Sequence, residues 1–266
     1  MKEPEMPTDR RLRRPVARPG AALRLFCLPH AGGSAGLYRA WPALLPPEIE
    51  PVLVCPPGRE DRLDEPFPAD LPALVADLAQ AVAPLLDRPW AVFGHSMGAT
   101  VAQELALHLT GAGHRGPVHL FASAREAPQY RHGGTVHLLD DDALCAELLR
   151  LGGSARELLA IPEIRPLVLP AVREDHRLIE HHTAAPRGLL DCPVTALVGD
   201  RDTELTAEEA AGWREWTTGS FELLTFPGGH FYLSDQPGAV VDAVLAGLAA
   251  SGPDAGHLIA NENHCE

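Results

Sequence analysis

Residues 90–103 read WAVFGHSMGATVAQ. A short apolar run, Trp90 to Phe93, enters Gly94-His95-Ser96-Met97-Gly98, and a stretch with helical character follows. The order is strand, sharp turn, helix, with a serine at the apex. Glycines on both sides of Ser96 permit a close chain approach that a Cβ would crowd. A turn of this kind lifts the serine hydroxyl above the edge of a sheet, where a substrate can reach it.

Working outward, apolar runs that end in loops alternate with helical patterns. Leu23–Leu28 and Pro51–Cys55 read as strands, and Leu71–Leu86 as a helix with Asp70 as its N-cap. The helix after Ser96 reaches about Thr110, and Val118–Ala122 is the next strand. Further on, Pro193–Val198 and Phe221–Phe226 are strands, while Ala207–Trp216 and Pro237–Leu248 are helices. This rhythm predicts an α/β fold with a mostly parallel central sheet flanked by helices. It breaks over residues 129–188, where helices are expected from Asp140 to Leu151, over Ser154–Ala160, and over Glu163–His182 with Pro166 and Pro170 as bending points. Such an insertion reads as a helical lid over the active edge of the sheet. The domain is expected over 21–250, preceded by a disordered tail, 1–20, and followed by a flexible tail, 251–266.

The 266 residues suit one α/β domain with an insertion, and a hydrophobic content of 45% supplies a core. A net charge of −14 argues against nucleic-acid or anionic-membrane partners. Lys2 is the only lysine, and the Arg11–Arg14 cluster reads as part of a solvated tail. Five cysteines, widely spaced and without a C-x-x-C pair, suit buried free thiols at Cys27, Cys55 and Cys192 and a reducing cytoplasm. No apolar run approaches a membrane span, and no secretory signal is apparent. No cofactor or metal is called for. Glu174-Asp175-His176 and Glu180-His181-His182 lack clean ligand spacing and read as solvated helix. Gly32-Gly33 precedes no G-K-[ST] and is not a phosphate loop.

Three strand ends carry the chemistry of acyl transfer. A neutral serine needs a base at hydrogen-bond distance, and a carboxylate fixes the tautomer of that base. Ser96, an aspartate in Gly199-Asp200-Arg201-Asp202, and His230 come in the order Ser, Asp, His. Asp200 and Asp202 compete for the carboxylate role; the G-x-x-D spacing common in hydrolases of this type favours Asp202, leaving Asp200 to order the loop. His230, after two glycines, is the expected base. His95 is the alternative base, but as the neighbour of Ser96 it leaves the turn on a different vector and reads as an orienting residue. The oxyanion donors are expected to be the backbone N–H groups of Met97 and of Ala31 in the loop after Leu28.

The combination LPHAGGSA at 28–35, PPGREDR at 56–62, FGHSMGA at 93–99, SAREAP at 123–128, LVGDRD at 197–202 and FPGGHFYL at 226–233 resembles the type II thioesterases, α/β-hydrolases that edit polyketide and non-ribosomal peptide synthases. The likeness runs from about Leu23 to Leu248. It implies Ser96 as nucleophile, His230 as base, Asp202 as its partner, and Ala31 and Met97 as oxyanion donors. It also implies acyl or peptidyl carrier protein domains as partners, with the substrate on their phosphopantetheine arm. Alternatives are release of a finished product, hydrolysis of acyl-CoA or small esters, and a silent hydrolase-like interaction protein. Carriers are typically acidic, so Arg59, Arg62, Arg125 and Arg131, which follow strand ends, are expected near the site mouth as docking residues.

Overall fold

The structure is a computed structural model that describes residues 9–131, 133–152, 159, 161–183 and 188–251. Its strands are β1 (Leu12–Arg13), β2 (Leu23–Leu28), β3 (Ile49–Val54), β4 (Trp90–His95), β5 (Leu120–Ser123), β6 (Val194–Gly199) and β7 (Phe221–Phe226). Its α-helices are α1 (Trp41–Leu44), α2 (Leu71–Val82), α3 (Met97–Gly111), α4 (Asp141–Leu151), α5 (Arg165–Glu180), α6 (Ala207–Ala211), α7 (Tyr232–Asp235) and α8 (Pro237–Ala250). The strands form one sheet in the order β1-β3-β2-β4-β5-β6-β7, parallel except for β1. Every residue of β2 to β6 is buried, which is why these runs are mostly apolar without alternation, and why the polar side chains among them, such as Arg24 and Glu50, pair inside the fold. β7, at the edge, mixes half-buried residues with exposed Glu222 and Thr225.

After β3 the chain returns across β2 to place β4, so the topology switches direction between β2 and β4. Crevices at such switch points, beyond the carboxyl ends of the strands, are where ligands bind in open α/β sheets. The loop after β2 and the Ser96 turn after β4 lie side by side there. The loops after β6 and β7 follow along the same edge, in register with Gly199 opposite Phe226.

Two helices stop short of the pattern for local reasons. Asp70 caps α2 by accepting from the Ala73 N–H at 2.8 Å. The α-helix ends at Val82 and tightens to a 3-10 turn over Ala83–Leu85, because Pro84 offers no N–H. Likewise α6 gives way to a 3-10 turn over Gly212–Trp216, which carries Trp213 inward, where its indole N–H donates to the Arg125 carbonyl at 2.9 Å.

The 129–188 insertion carries two short 3-10 turns, α4 and α5, and no strand among the described residues. The helix expected over Ser154–Ala160 lies, apart from Leu159, outside the described residues. Leu144, Cys145 and Leu148 of α4 pack with Leu159, Leu169 and Val172 as a small separate core, while Leu178 and Ile179 at the other end of α5 belong to the main core. One helix thus joins two cores.

The expectation of disorder over 1–20 is corrected for residues 9–20. Leu12 and Arg13 pair with Val54 and Leu53 of β3. Arg11 bonds Asp77 at 2.7 Å and Arg14 bonds Glu50 at 2.6 Å. Arg18 donates to the carbonyls of Pro42 and Ile49. The physical reason is Glu50, whose side chain is 0% exposed and also meets Arg24 at 2.8 Å. A carboxylate buried that deeply needs cationic partners, and Arg14 supplies one from the N-terminal segment. Residues 1–8 and 252–266 lie outside the described residues.

Two predictions follow from this packing. Deleting residues 1–20 removes Arg14 from Glu50 but leaves Arg24 there, and should lower the unfolding free energy by about 1.5–3 kcal/mol in urea titration, the worth of a hydrogen bond to a charged group; an unchanged midpoint would show that the segment is not seated. Acid should destabilise the fold through buried histidines. Burial lowers the His119 imidazole to about 4 from an ordinary 6.5, and burial also holds His95 well below that value. Between 6.5 and about 4 the unfolded chain binds the extra proton, so stability falls as pH falls through that window. His119 alone should account for a loss of up to about 2 kcal/mol between pH 7 and pH 5. His119→Gln should flatten the dependence, measured as urea midpoints at the two pH values.

Candidate active site

Ser96 follows directly on β4 and precedes α3, with φ 54° and ψ −121°. A non-glycine residue held at such a φ stores about 1–3 kcal/mol of strain, which the surrounding packing must hold in place. That packing is backbone against backbone. A Cβ on Gly94 would lie 2.2 Å from the Gly98 carbonyl oxygen, and one on Gly98 would lie 2.3 Å from the carbonyl oxygen of Leu28. The second contact seats the start of α3 against the end of β2, and so sets the Ser96 turn beside the loop that carries Ala31. Ser96 is half-buried, while its neighbours His95 and Met97 are buried. Met97 opens α3, where the first N–H groups have no partner within the helix and concentrate positive potential.

The loops after β6 and β7 meet through Asp202 and His230. His230 Nδ1 lies 2.9 Å from Asp202 Oδ2, and the aspartate side chain is 0% exposed. The other carboxylate oxygen accepts from the Glu204 N–H at 2.9 Å. Asp200 is turned elsewhere and accepts from the Gly228 N–H at 2.8 Å. Asp202 therefore faces the histidine, and Asp200 ties the two loops together.

His95 lies beneath the turn, fully buried. Its Nδ1 is 2.9 Å from Ser123 Oγ, which is 2.6 Å from the Tyr232 hydroxyl. This chain of three residues links the ends of β4 and β5 to the segment that bears His230, and the ring centroids of His95 and His230 are 5.3 Å apart. Burial drives the His95 imidazole to its neutral form. Ser123 and Tyr232 lie inside the motifs SAREAP and FPGGHFYL, but nothing in their spacing marks them as partners of His95.

Of the four arginines expected at a docking face, two are buried and two, Arg125 and Arg131, are half-buried. Arg59 and Arg62 are buried, the first paired with Asp175, the second donating to the Cys55 carbonyl and pairing with Glu65 at 2.6 Å. Arg125 pairs with Glu126 at 2.8 Å, and Arg131 donates to Gln103 and lies over the Trp213 ring. Each is engaged by a group within the fold. The acidic and histidine-rich lid patches are likewise not simply solvated. Asp175 is buried, Glu180 accepts from the Val136 N–H at 2.9 Å, and His182 Nε2 lies 3.0 Å from Glu104. Asp175 could have been found from spacing, because it shares the apolar stripe of Val172 and Ile179 on α5. Among the described residues no group of three His, Cys, Asp or Glu is arranged to hold a metal, and no helix is long and apolar enough to cross a membrane.

Comparison with known proteins matches the thioesterase domain family to residues 23–248. A probable cadicidin biosynthesis thioesterase of Streptomyces griseus is 44% identical over 227 residues, which are 85% of this chain and 63% of that protein, less than two thirds of its length. Thioesterase PikA5 of Streptomyces venezuelae is 42% identical over 231 residues, 85% of this chain and 80% of its own. Among solved structures, the type II thioesterase BorB from the borrelidin biosynthetic cluster superposes with a TM-score of 0.84 at 42% identity, covering 91% of this chain and 99% of that one. With a serine turn, a paired histidine and aspartate on one sheet edge, and these relatives, the chain belongs to the thioesterase domain family and has the α/β-hydrolase fold.

Proposed function

We propose that this protein hydrolyses acyl thioesters held on the phosphopantetheine arm of acyl or peptidyl carrier protein domains, and removes aberrant or stalled chains from a polyketide or non-ribosomal peptide synthase. The observation that carries the reading is the His230–Asp202 pair on the sheet edge that bears the strained Ser96 turn. The biosynthetic setting rests on the relatives, among them BorB and PikA5.

In this reading Asp202 holds Nδ1 of His230 protonated, which leaves Nε2 as the basic nitrogen for Ser96. Nε2 takes the hydroxyl proton as Oγ attacks the thioester carbonyl. The N–H groups of Ala31 and Met97 receive the oxyanion, an interaction worth about 3 kcal/mol per donor in such sites. The tetrahedral intermediate collapses, the C–S bond breaks, and the thiolate takes the proton from the imidazolium. Thiols ionise near pKa 8.5, so departure asks little of the acid. Water then repeats the sequence on the acyl-Ser96 ester, with His230 as base, and the free acid leaves. The 129–188 insertion acts as the lid over this edge and sets which acyl groups enter. The chain works in the cytoplasm, beside its synthase.

The test is a panel of acyl-carrier and acyl-CoA substrates with variants at each position. Ser96→Ala should abolish turnover. Asp202→Asn should lower kcat by on the order of 10³–10⁴-fold, while Asp200→Asn should cost far less. Equal, small losses from both aspartate changes would refute the assignment of Asp202. Fast cleavage confined to a long mature chain would replace editing with product release, and no turnover of any substrate would leave a binding protein.

A further inference from the structure

α5 sends the carboxylate of Asp175 under the loop after β2. Asp175 is 3% exposed, and its Oδ2 accepts from the Gly32 N–H at 2.8 Å and from Nη2 of Arg59. Arg59 is 7% exposed; it also donates from Nη1 to the Pro57 carbonyl, and its Nε is buried without a hydrogen-bond partner. Gly32 has a φ of +74°, and a Cβ there would lie 2.3 Å from Cγ2 of Val172, three residues before Asp175. The helix is thus seated directly on the loop, by an apolar contact at Val172 and a charged one at Asp175. Asp175 also lines a small cavity together with His30, Met97 and Gly98, the last two being the residues that follow Ser96.

We propose that Asp175, neutralised by Arg59, is a positioning residue for acyl transfer: it anchors the Ala31–Gly32 peptide from the insertion side, so that the oxyanion hole is complete only while α5 is seated on the loop. This rests on the roles given above to Ser96 and Ala31. Fixing the Gly32 N–H fixes the peptide plane next to the one that carries the Ala31 N–H. A hole works only when its donors are aimed before charge develops. Arg59 has a second consequence. A lone carboxylate beside the hole would repel the developing oxyanion, whereas a paired one presents little net field. The insertion is then part of the machinery that forms the hole as well as its cover.

The test compares wild type with Asp175→Asn, Arg59→Gln, the double variant and Val172→Ala. The readouts are kcat and KM on a short-chain acyl-pantetheine thioester, inhibition by a boronic acid that adds to the serine as a tetrahedral anion, and thermal midpoint. Asp175→Asn should lower kcat by about 10²-fold with little change in KM, and weaken the boronic acid by a similar factor. The double variant should recover part of the loss, since neither charge is left alone. Val172→Ala, which unseats the helix without touching a charge, should show the same signature in smaller size and keeps the test open if Asp175→Asn does not fold. A lower thermal midpoint with unchanged kcat and unchanged boronic acid inhibition would overturn the proposal. Ser96→Ala serves as control: if it retains turnover, the reading of the site itself fails, and if it alone loses turnover, only the role of Asp175 fails.

Discussion

The close approach of Gly98 to the carbonyl of Leu28 is the contact on which the arrangement depends. The first turn of α3 abuts the end of β2 with no side chain between them. That brings the serine turn and the Ala31 loop together at the switch point of the sheet, and the parallel strands β5, β6 and β7 then carry the aspartate and histidine loops along the same edge. Strain at Ser96 is tolerated because backbone packing on both sides leaves the turn no other path. A methyl group at Gly98 would push the start of α3 off the end of β2 and separate the Ser96 turn from the Ala31 loop, and one at Gly94 would push α3 off the end of β4.

Charge is used inward. The chain carries a net −14, yet several of its arginines are spent on buried or half-buried carboxylates. Arg14 and Arg24 hold Glu50 and so seat the N-terminal segment on the sheet, while Arg59 holds Asp175 and so seats the insertion on the sheet edge that bears Ser96. Buried pairs of this kind add little stability over an apolar contact, but breaking one leaves a charge stranded. They therefore act as register marks, each permitting one way to dock a segment. The same segments are where composition misleads, since an arginine-rich tail and an acidic helix both look solvated until their partners, distant in sequence, are known.

Much of the fold was legible because it rests on local signals. The runs Leu23–Leu28 and Phe221–Phe226 are bounded by turn residues and form strands with those limits. The spacing of Leu71, Leu74, Val75 and Leu78 marks the buried face of α2. The ends were less legible where one residue alters the winding, as Pro84 does after Val82. The choice between Asp200 and Asp202 could be weighted from spacing but not made, because it depends on which way each side chain leaves a tight loop. In the structure one faces His230 and the other faces the Gly228 N–H.

By itself the sequence determined the strand–turn–helix around Ser96, the alternating α/β plan, and the order in which serine, aspartate and histidine arrive at strand ends. Those follow from periodicity, glycine placement and turn chemistry, all of which act over a few residues. Only the tertiary structure decided that Asp202 meets His230, that His95 turns away to Ser123 and Tyr232, that Arg59 and Arg62 are buried, and that Asp175 reaches the Gly32 N–H. The Asp202–His230, His95–Ser123, Ser123–Tyr232 and Asp175–Gly32 contacts join groups 28 to 143 residues apart. A buried charge or hydrogen-bonding group takes whichever partner the packing brings to it, and packing is a property of the assembled sheet and its insertion, not of any stretch of chain.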